Sequence, residues 1–223
     1  MYIRGFLILL WTENEGLGMK KAIEVFGEWA KEGKDFGMEK THLMPVKEMI
    51  DFALEERVNI GKNFSFLDLG CGNGWVVRDV SKNKLCDQSV GIDGAEQMIA
   101  NAESRGGNTK YILADINSFD SDDQYDVIHS MEVLYYLDDP LETVKRISHS
   151  WLSNDGRLIV GVDHYYENAD SHSWQEKVGT RMLMLKESEW LNIFEMAGLN
   201  EVQSWRSGKG KDWAGTLVIT GKK

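Results

Sequence analysis

A glycine-rich turn behind a short apolar run is the part of this sequence that most directly predicts chemistry. The run from Phe64 to Leu69 fits a buried parallel strand. Gly70, Gly72 and Gly74 follow at alternate positions, where the lack of a Cβ lets the backbone turn tightly and approach a ligand. A helix from about Trp75 to Val80 would complete a strand, turn and helix unit. We therefore expect a cofactor to bind at this turn.

The spacing of the glycines and the charge beside them distinguish two kinds of cofactor. The dinucleotide fingerprint is G-x-G-x-x-G, but here the third glycine comes one residue early and Trp75 stands where that fingerprint has glycine. Asp68 lies just before the turn, where a carboxylate repels a pyrophosphate but accepts hydrogen bonds from an ammonium group. A NAD-dependent oxidoreductase is therefore disfavoured.

Two further carboxylates stand at the ends of predicted strands. Asp93 follows the strand that begins at Ser89, about 20 residues beyond the first glycine, which is where an acidic residue meets a ribose in open α/β sheets. Asp115 ends a strand that begins at Lys110, where it can accept a hydrogen bond from the adenine amine while the Ile116 N–H donates to the ring. Both positions indicate a ligand that contains adenosine.

These residues resemble the motifs of the class I S-adenosylmethionine (SAM)-dependent methyltransferases, whose first motif reads acidic-x-Gly-x-Gly-x-Gly after the first strand. Four matching stretches occur in order between about Phe64 and Val162, the last being a strand from Tyr125 to Met131 followed by a loop and an Asp139-Pro140 helix start. The resemblance implies an α/β fold, a Rossmann-like seven-stranded, mostly parallel sheet with an antiparallel C-terminal strand and helices on both faces.

The resemblance also implies SAM as the cofactor, S-adenosylhomocysteine as the product, and a set of cofactor-binding residues. Gly94 and Ala95 depart from the family pattern, in which a hydrophobic residue and Ser are frequent after the ribose-binding acid. The departure bears on the detail of the ribose and adenine contacts and not on the cofactor. The implied residues are Asp68, Gly70, Cys71, Gly72, Gly74, Asp93, Gly94, Met98, Asp115, Ile116 and Met131.

Residues for the methyl acceptor are predicted beyond the cofactor motifs. Methyl transfer from a sulfonium is an in-line displacement that depends on alignment of the reactants and requires no catalytic dyad. An acceptor that loses a proton benefits from a base, for which His164, just past the predicted fifth strand, is the first candidate. Tyr136 is the second catalytic candidate, in the loop after the fourth strand. The candidate substrate-binding residues are Trp29, His42, Tyr165, Tyr166 and Trp174.

Alternatives remain open at the acceptor side. His42, in the predicted connection between two N-terminal helices, fits a solvated loop or a helix cap as well as a substrate contact. The segment from His164 to Lys186 fits a surface loop packed on those helices equally well. Aromatic residues favour an alkylammonium acceptor through cation–π attraction, and Glu132 adds a negative charge. Arg181 and Arg206 instead favour a carboxylate acceptor, unless they pair with acidic residues of the surface. A SAM-binding partner or regulatory subunit without transfer activity is the alternative function.

Two other histidines are interpreted as structural. His129 lies within the predicted fourth strand, and His149 lies near the end of the helix that follows Pro140. Neither position predicts a contact with a ligand.

Composition limits the partners. The 223 residues carry a formal net charge of −11, which argues against nucleic acid and anionic membranes because their binding relies on Lys and Arg. Cys71 and Cys86 form neither a metal-ligand pattern nor a disulfide framework, so we predict no metal and a reducing, cytoplasmic location. The expected partners are a small-molecule acceptor and, at most, a second copy, giving a monomer or homodimer.

One domain is predicted to cover residues 1–223. Residues 19–60 form amphipathic helices, the second beginning at Pro45, and the family resemblance implies that they are a lid across the cofactor mouth. Residues 1–18 are expected to be either a mistaken upstream start or an extra packed segment. Their apolar run from Gly5 to Trp11 is too short to span a bilayer.

Overall fold

The computed structural model describes residues 19–223, and a single sheet runs through its centre. Its strands are β1 (Phe64–Leu69), β2 (Cys86–Asp93), β3 (Lys110–Leu113), β4 (Tyr125–Met131), β5 (Leu152–Val162), β6 (Asn200–Ser207) and β7 (Thr216–Lys222). They form a seven-stranded sheet in the order β3-β2-β1-β4-β5-β7-β6. The first five strands are parallel, and β7 runs antiparallel to both β5 and β6. The predicted fold is confirmed.

Helices cover both faces of the sheet. They are α1 (Ala22–Lys31), α2 (Asp35–Asn59), α3 (Trp75–Val80), α4 (Glu96–Ser104), α5 (Pro140–Arg146), α6 (Trp174–Val178) and α7 (Glu187–Met196). The core on one face includes Trp190 and Phe194 of α7, and the core on the other includes Val46 and Met49 of α2. Because both faces are covered, the central strands are apolar along nearly their whole length, as expected of a parallel sheet.

Several element boundaries differ from those that the sequence predicts. The second helix begins at Asp35 rather than Pro45, so His42 lies within α2 and the prediction of a connecting segment there is wrong. An interior proline loses one hydrogen bond and crowds the carbonyl four residues before it, but here the helix continues because Val46 and Met49, just beyond Pro45, are buried in the core. β3 ends at Leu113, which leaves Asp115 in the following loop. The predicted loop after β5 contains α6 and a 3-10 turn, Ala169–Ser171.

The first two helices are attached to the cofactor end of the sheet by the buried Asp35. Its Oδ2 accepts hydrogen bonds from Arg105 Nη2 at 2.9 Å and from Asn73 Nδ2, in the glycine turn, at 3.1 Å. Gly94 also lies against α1, since a Cβ there would come within 2.5 Å of Ile23. The start of α2 is therefore coupled directly to the glycine turn.

Two further sequence predictions concern the N-terminal segment and the membrane. The prediction for residues 1–18 lies outside the described residues. Among residues 19–223, no helix combines the length and the hydropathy needed to cross a membrane.

Candidate active site

The glycine turn joins β1 to α3 at the carboxyl edge of the sheet, where ligands bind in open α/β folds. Gly70, Gly72 and Gly74 have φ values of 71°, 52° and 74°, in the left-handed region that favours glycine. Space is also limiting, because a Cβ at Gly70 would lie 2.2 Å from Val133 and one at Gly74 would lie 2.5 Å from the Tyr111 ring. Conformation and close packing thus together explain Gly70 and Gly74.

Asp93 closes the turn from the neighbouring strand. Its Oδ2 accepts a hydrogen bond from the Gly72 N–H at 2.9 Å, and its Oδ1 accepts one from the Ala95 N–H at 2.8 Å. Burial raises the pKa of this carboxyl group to about 6, against the lowering effect of the two backbone donors. The carboxylate lines the cavity described below, where it is available to ligand hydroxyl groups.

Asp68 forms a buried pair that the sequence does not predict. Its Oδ1 lies 2.7 Å from His129 Nδ1, because β1 and β4 are in a register that sets these two residues side by side. The interpretation of His129 as merely structural is incomplete, since both side chains line the cavity and His129 Nε2 is buried without a hydrogen-bond partner among the described residues. Asp68 therefore faces the cavity already oriented by His129.

The other predicted cofactor residues lie around the same cavity. Asp115 Oδ1 accepts from the Asn117 N–H at 2.9 Å, so this carboxylate is held by its own loop. Met98 and Ile116 supply buried apolar surface, and Met131 and Gly94 also line the wall. Burial raises the pKa of the Cys71 thiol well above its usual value, which makes it a small packing residue rather than a nucleophile.

One cavity of about 1390 Å³ extends from the glycine turn to the ends of β4 and β5, beneath α1 and the start of α2. Tyr136, Glu132, Asp163 and His42 line it beside and after the ends of β4 and β5. Burial and the Asp163 charge raise the pKa of Glu132 well above its usual value, and burial likewise raises the pKa of the Tyr136 hydroxyl. This part of the cavity wall is thus polar but sheltered.

Aromatic residues of the first helix also reach this part of the wall. Phe26 of α1 packs edge-on against Trp29 at 5.3 Å and against Tyr136 at 5.2 Å. Trp174 of α6 lines the cavity as well. The predicted catalytic and substrate-binding residues that the structure gathers at the cavity are therefore Trp29, His42, Tyr136 and Trp174.

The remaining predicted acceptor-side residues, His164, Tyr165 and Tyr166, lie away from the cavity. His164 is 1% exposed, with Nδ1 3.1 Å from the Ser171 carbonyl oxygen and its ring packed between Tyr135 and Trp174. It therefore lies behind the cavity wall, and burial lowers its pKa, so we withdraw it as the candidate base. Asp163, one residue earlier, occupies the position predicted for His164.

Tyr165 and Tyr166 do not line the cavity either, so their prediction as substrate-binding residues is wrong. The Tyr165 hydroxyl donates to the Gly215 carbonyl oxygen at 2.8 Å, so this side chain belongs to the core. The Arg206 guanidinium lies 4.2 Å from its ring centre and pairs with Glu187. Tyr166 is 53% exposed on the outer surface beside His172. Successive side chains after β5 turn to different sides, and the sequence does not reveal which side faces the cavity.

Comparison with known proteins agrees with these motifs. A family model described as a methyltransferase domain matches residues 16–204. A malonyl-[acyl-carrier protein] O-methyltransferase of Halalkalibacterium halodurans is 36% identical over 117 residues, which cover 48% of this chain and 43% of that protein. A (S)-coclaurine N-methyltransferase of Papaver somniferum is 30% identical over 138 residues, covering 56% of this chain and 38% of that protein. The chain thus spans less than half the length of these curated relatives.

Solved structures share the fold. A chain in the complex between the Haloferax volcanii Trm112 methyltransferase activator and a methyltransferase is 27% identical with a TM-score of 0.75, over 88% of this chain and 96% of that one. The 1,6-didemethyltoxoflavin-N1-methyltransferase of Burkholderia thailandensis, solved with S-adenosylhomocysteine, is 18% identical with a TM-score of 0.66, over 90% and 86%.

The fold and the matched motifs define a methyltransferase domain. This chain belongs to the class I SAM-dependent methyltransferase family. The predicted assignment to the SAM-dependent methyltransferases is thus confirmed at the level of the family, and SAM is the cofactor of that family.

Proposed function

We propose that this chain transfers the methyl group of SAM to a small-molecule acceptor by in-line displacement. The observation that carries the proposal is a continuous cavity among the described residues, which joins the cofactor residues at the glycine turn to the polar group at the ends of β4 and β5. Pockets for one ligand are about 300–1,000 Å³. A volume of about 1390 Å³ therefore has room for SAM and a second reactant.

The proposed SAM orientation follows from the side chains along the cavity. Asp93 accepts hydrogen bonds from the ribose hydroxyls, Asp115 and the Ile116 N–H meet the adenine, and the free oxygen of Asp68 meets the amino-acid ammonium group. Tyr136, which lines the same cavity, would then contact the acceptor. The acceptor lone pair attacks the methyl carbon as the carbon–sulfur bond breaks, and the electron pair remains on sulfur in S-adenosylhomocysteine. Alignment of the reactants in this enclosed space is the main contribution of the protein.

The first helices are proposed to act as the lid of this single domain. Support comes from Asp35, which links the start of α2 to Asn73 in the glycine turn and to Arg105 after α4. Phe26, Trp29 and His42, which line the cavity, belong to the same lid. A reducing cytoplasmic location suits Cys71 and Cys86, which are both free thiols.

The acceptor is tested by a transfer assay. The protein is incubated with methyl-labelled SAM and pools of small amines, acids and hydroxylated compounds, and S-adenosylhomocysteine formation is measured. Acceptor-dependent release supports the proposal. Transfer only to a carrier-protein conjugate, the acceptor type named for the malonyl-[acyl-carrier protein] O-methyltransferases, would contradict the small-molecule class. Asp93→Asn, which removes the carboxylate proposed to bind the ribose, provides the matched loss-of-function variant.

A SAM-binding subunit without transfer activity is the second candidate. The similarity to a methyltransferase that is complexed with the Trm112 activator favours a protein partner for this chain as well, beyond the monomer or homodimer that the sequence predicts. Size-exclusion chromatography with light scattering, with and without the Haloferax volcanii Trm112 protein as the probe, tests this directly. If S-adenosylhomocysteine forms in a 1:1 complex but not with the free chain, the chain is an activated enzyme. A complex that binds SAM without turnover would support the binding-only role.

A further inference from the structure

Three potential metal ligands converge on the cavity near the ends of β4 and β5. His42 comes from α2, Glu132 from the residue after β4, and Asp163 from the residue after β5. One ligand atom from each lies within 4.8 Å of the other two, and all three side chains line the cavity. The prediction of no metal does not foresee this cluster, because its members are far apart along the chain and follow no metal-ligand spacing.

The Asp163 carboxylate is incompletely satisfied. The residue is 6% exposed, and its Oδ1 is buried without a hydrogen-bond partner among the described residues. Buried carboxylate oxygens are normally paired, so an unpaired one that faces a cavity indicates a ligand. This observation is independent of the clustering of the three residues.

The distance between His42 and Asp163 fits two ligands of one ion. His42 Nε2 lies 3.6 Å from Asp163 Oδ2, which is too long for a good hydrogen bond. Two ligands on a tetrahedral ion with bonds of about 2.0–2.1 Å stand about 3.3 Å apart. A small movement of the His42 side chain would therefore bring both atoms to an ion.

Neighbouring groups hold the two carboxylates in place. The Tyr135 hydroxyl donates to Glu132 Oε2 at 2.7 Å, and the Asp163 N–H donates to Glu132 Oε1. Each oxygen keeps a second lone pair for a cation. Glu132 also has a φ of 61°, an uncommon conformation for a non-glycine residue that recurs at functional sites. Such supporting hydrogen bonds are typical around metal ligands.

We propose that His42, Glu132 and Asp163 bind one divalent transition-metal ion, with Zn²⁺ or Mn²⁺ chemistry. One imidazole and two carboxylates suit these ions, and three protein ligands leave coordination positions open towards the cavity. The open positions would hold the methyl acceptor, and the ion would lower the pKa of an acceptor hydroxyl. This role in catalysis rests on the proposed function. Ion binding itself does not.

The test uses the full chain without an affinity tag, stripped by a chelator and dialysed. Mn²⁺ and Zn²⁺ are titrated calorimetrically, and bound Mn²⁺ is counted by electron paramagnetic resonance. We expect one ion per chain, with affinity at least tenfold weaker in Asp163→Asn and His42→Ala. His149→Ala, which removes an exposed histidine at a helix end, is the matched control and should bind as the unmodified chain does.

A second readout requires no variant. Bound Mn²⁺ should broaden the imidazole NMR signals of His42 and leave those of His149 unchanged. The absence of binding at millimolar ion, or binding that survives Asp163→Asn, would overturn the proposal, and the cluster would then be a hydrogen-bonding group for an ammonium acceptor. SAM titrated into the same samples separates the two proposals, since SAM binding without metal binding overturns only this one.

Discussion

The raised pKa of Asp93 predicts an unusual dependence of SAM affinity on pH. The ribose hydroxyls donate to the ionised carboxylate, so the protonated carboxyl must lose its proton before SAM binds. With a pKa of about 6 in the free protein, the fraction ready to bind falls below that pH. Affinity should be constant near pH 7, about twofold weaker at pH 6 and about tenfold weaker at pH 5.

The direction of the linked stability change helps to interpret this experiment. Because the folded-state pKa of Asp93 is raised above the usual 3.8, protonation of this group favours the folded protein as the pH falls from about 6 towards 4. Weaker binding at pH 5 is therefore not caused by unfolding through Asp93. Circular dichroism at each pH checks the fold as a whole.

The assay is calorimetric titration with SAM from pH 5 to pH 7, where the amino group of SAM stays protonated. Asp93→Asn, which cannot titrate, is the matched variant and should bind more weakly at neutral pH with a nearly flat profile. A flat profile in the unmodified chain would refute the reasoning, because the carboxylate would then either be ionised throughout or take no part in binding.

Three further predictions concern the parts that hold the site. Gly74→Ala should weaken SAM binding at least tenfold, since its Cβ would lie 2.5 Å from the Tyr111 ring. Gly208 has a φ of 65° and open space around it, so Gly208→Ala controls for backbone strain alone. This control should leave the dissociation constant for SAM unchanged. Asp35→Asn should lower the free energy of unfolding by about 1–3 kcal/mol, measured in urea, by breaking the contact with Arg105; unchanged stability and SAM affinity would contradict the anchoring role. Phe66→Ala, at a fully buried strand position, should cost about 3–5 kcal/mol in the same assay, and a loss below about 1 kcal/mol would place Phe66 outside the tightly packed core.

The cofactor half of the site could be predicted because its residues follow one another at fixed spacings. Gly70, Gly72 and Gly74 report the backbone path directly, since each has a positive φ. Asp93 stands at a strand end, where the sheet topology fixes its position. Local pattern and global fold agree there, so sequence reasoning succeeds.

The parts of the site that meet through tertiary packing could be predicted only in part. On the cofactor side, the pair of Asp68 and His129 depends on the register of two strands, which brings together residues 61 positions apart. Asp163 and His164 are adjacent, yet only the first lines the cavity, and the difference depends on the path of the chain after β5. His42 lines the cavity from within α2. The sequence predicts a loop there because Pro45 resembles the start of a helix.

Calorimetric titration of the purified chain with SAM, and separately with NAD, tests the central claim most directly. The account predicts micromolar SAM binding at one site, loss of that binding in Asp93→Ala, and no binding of NAD. A well-folded sample that binds NAD, or that binds SAM equally well with and without the Asp93 carboxylate, would contradict it.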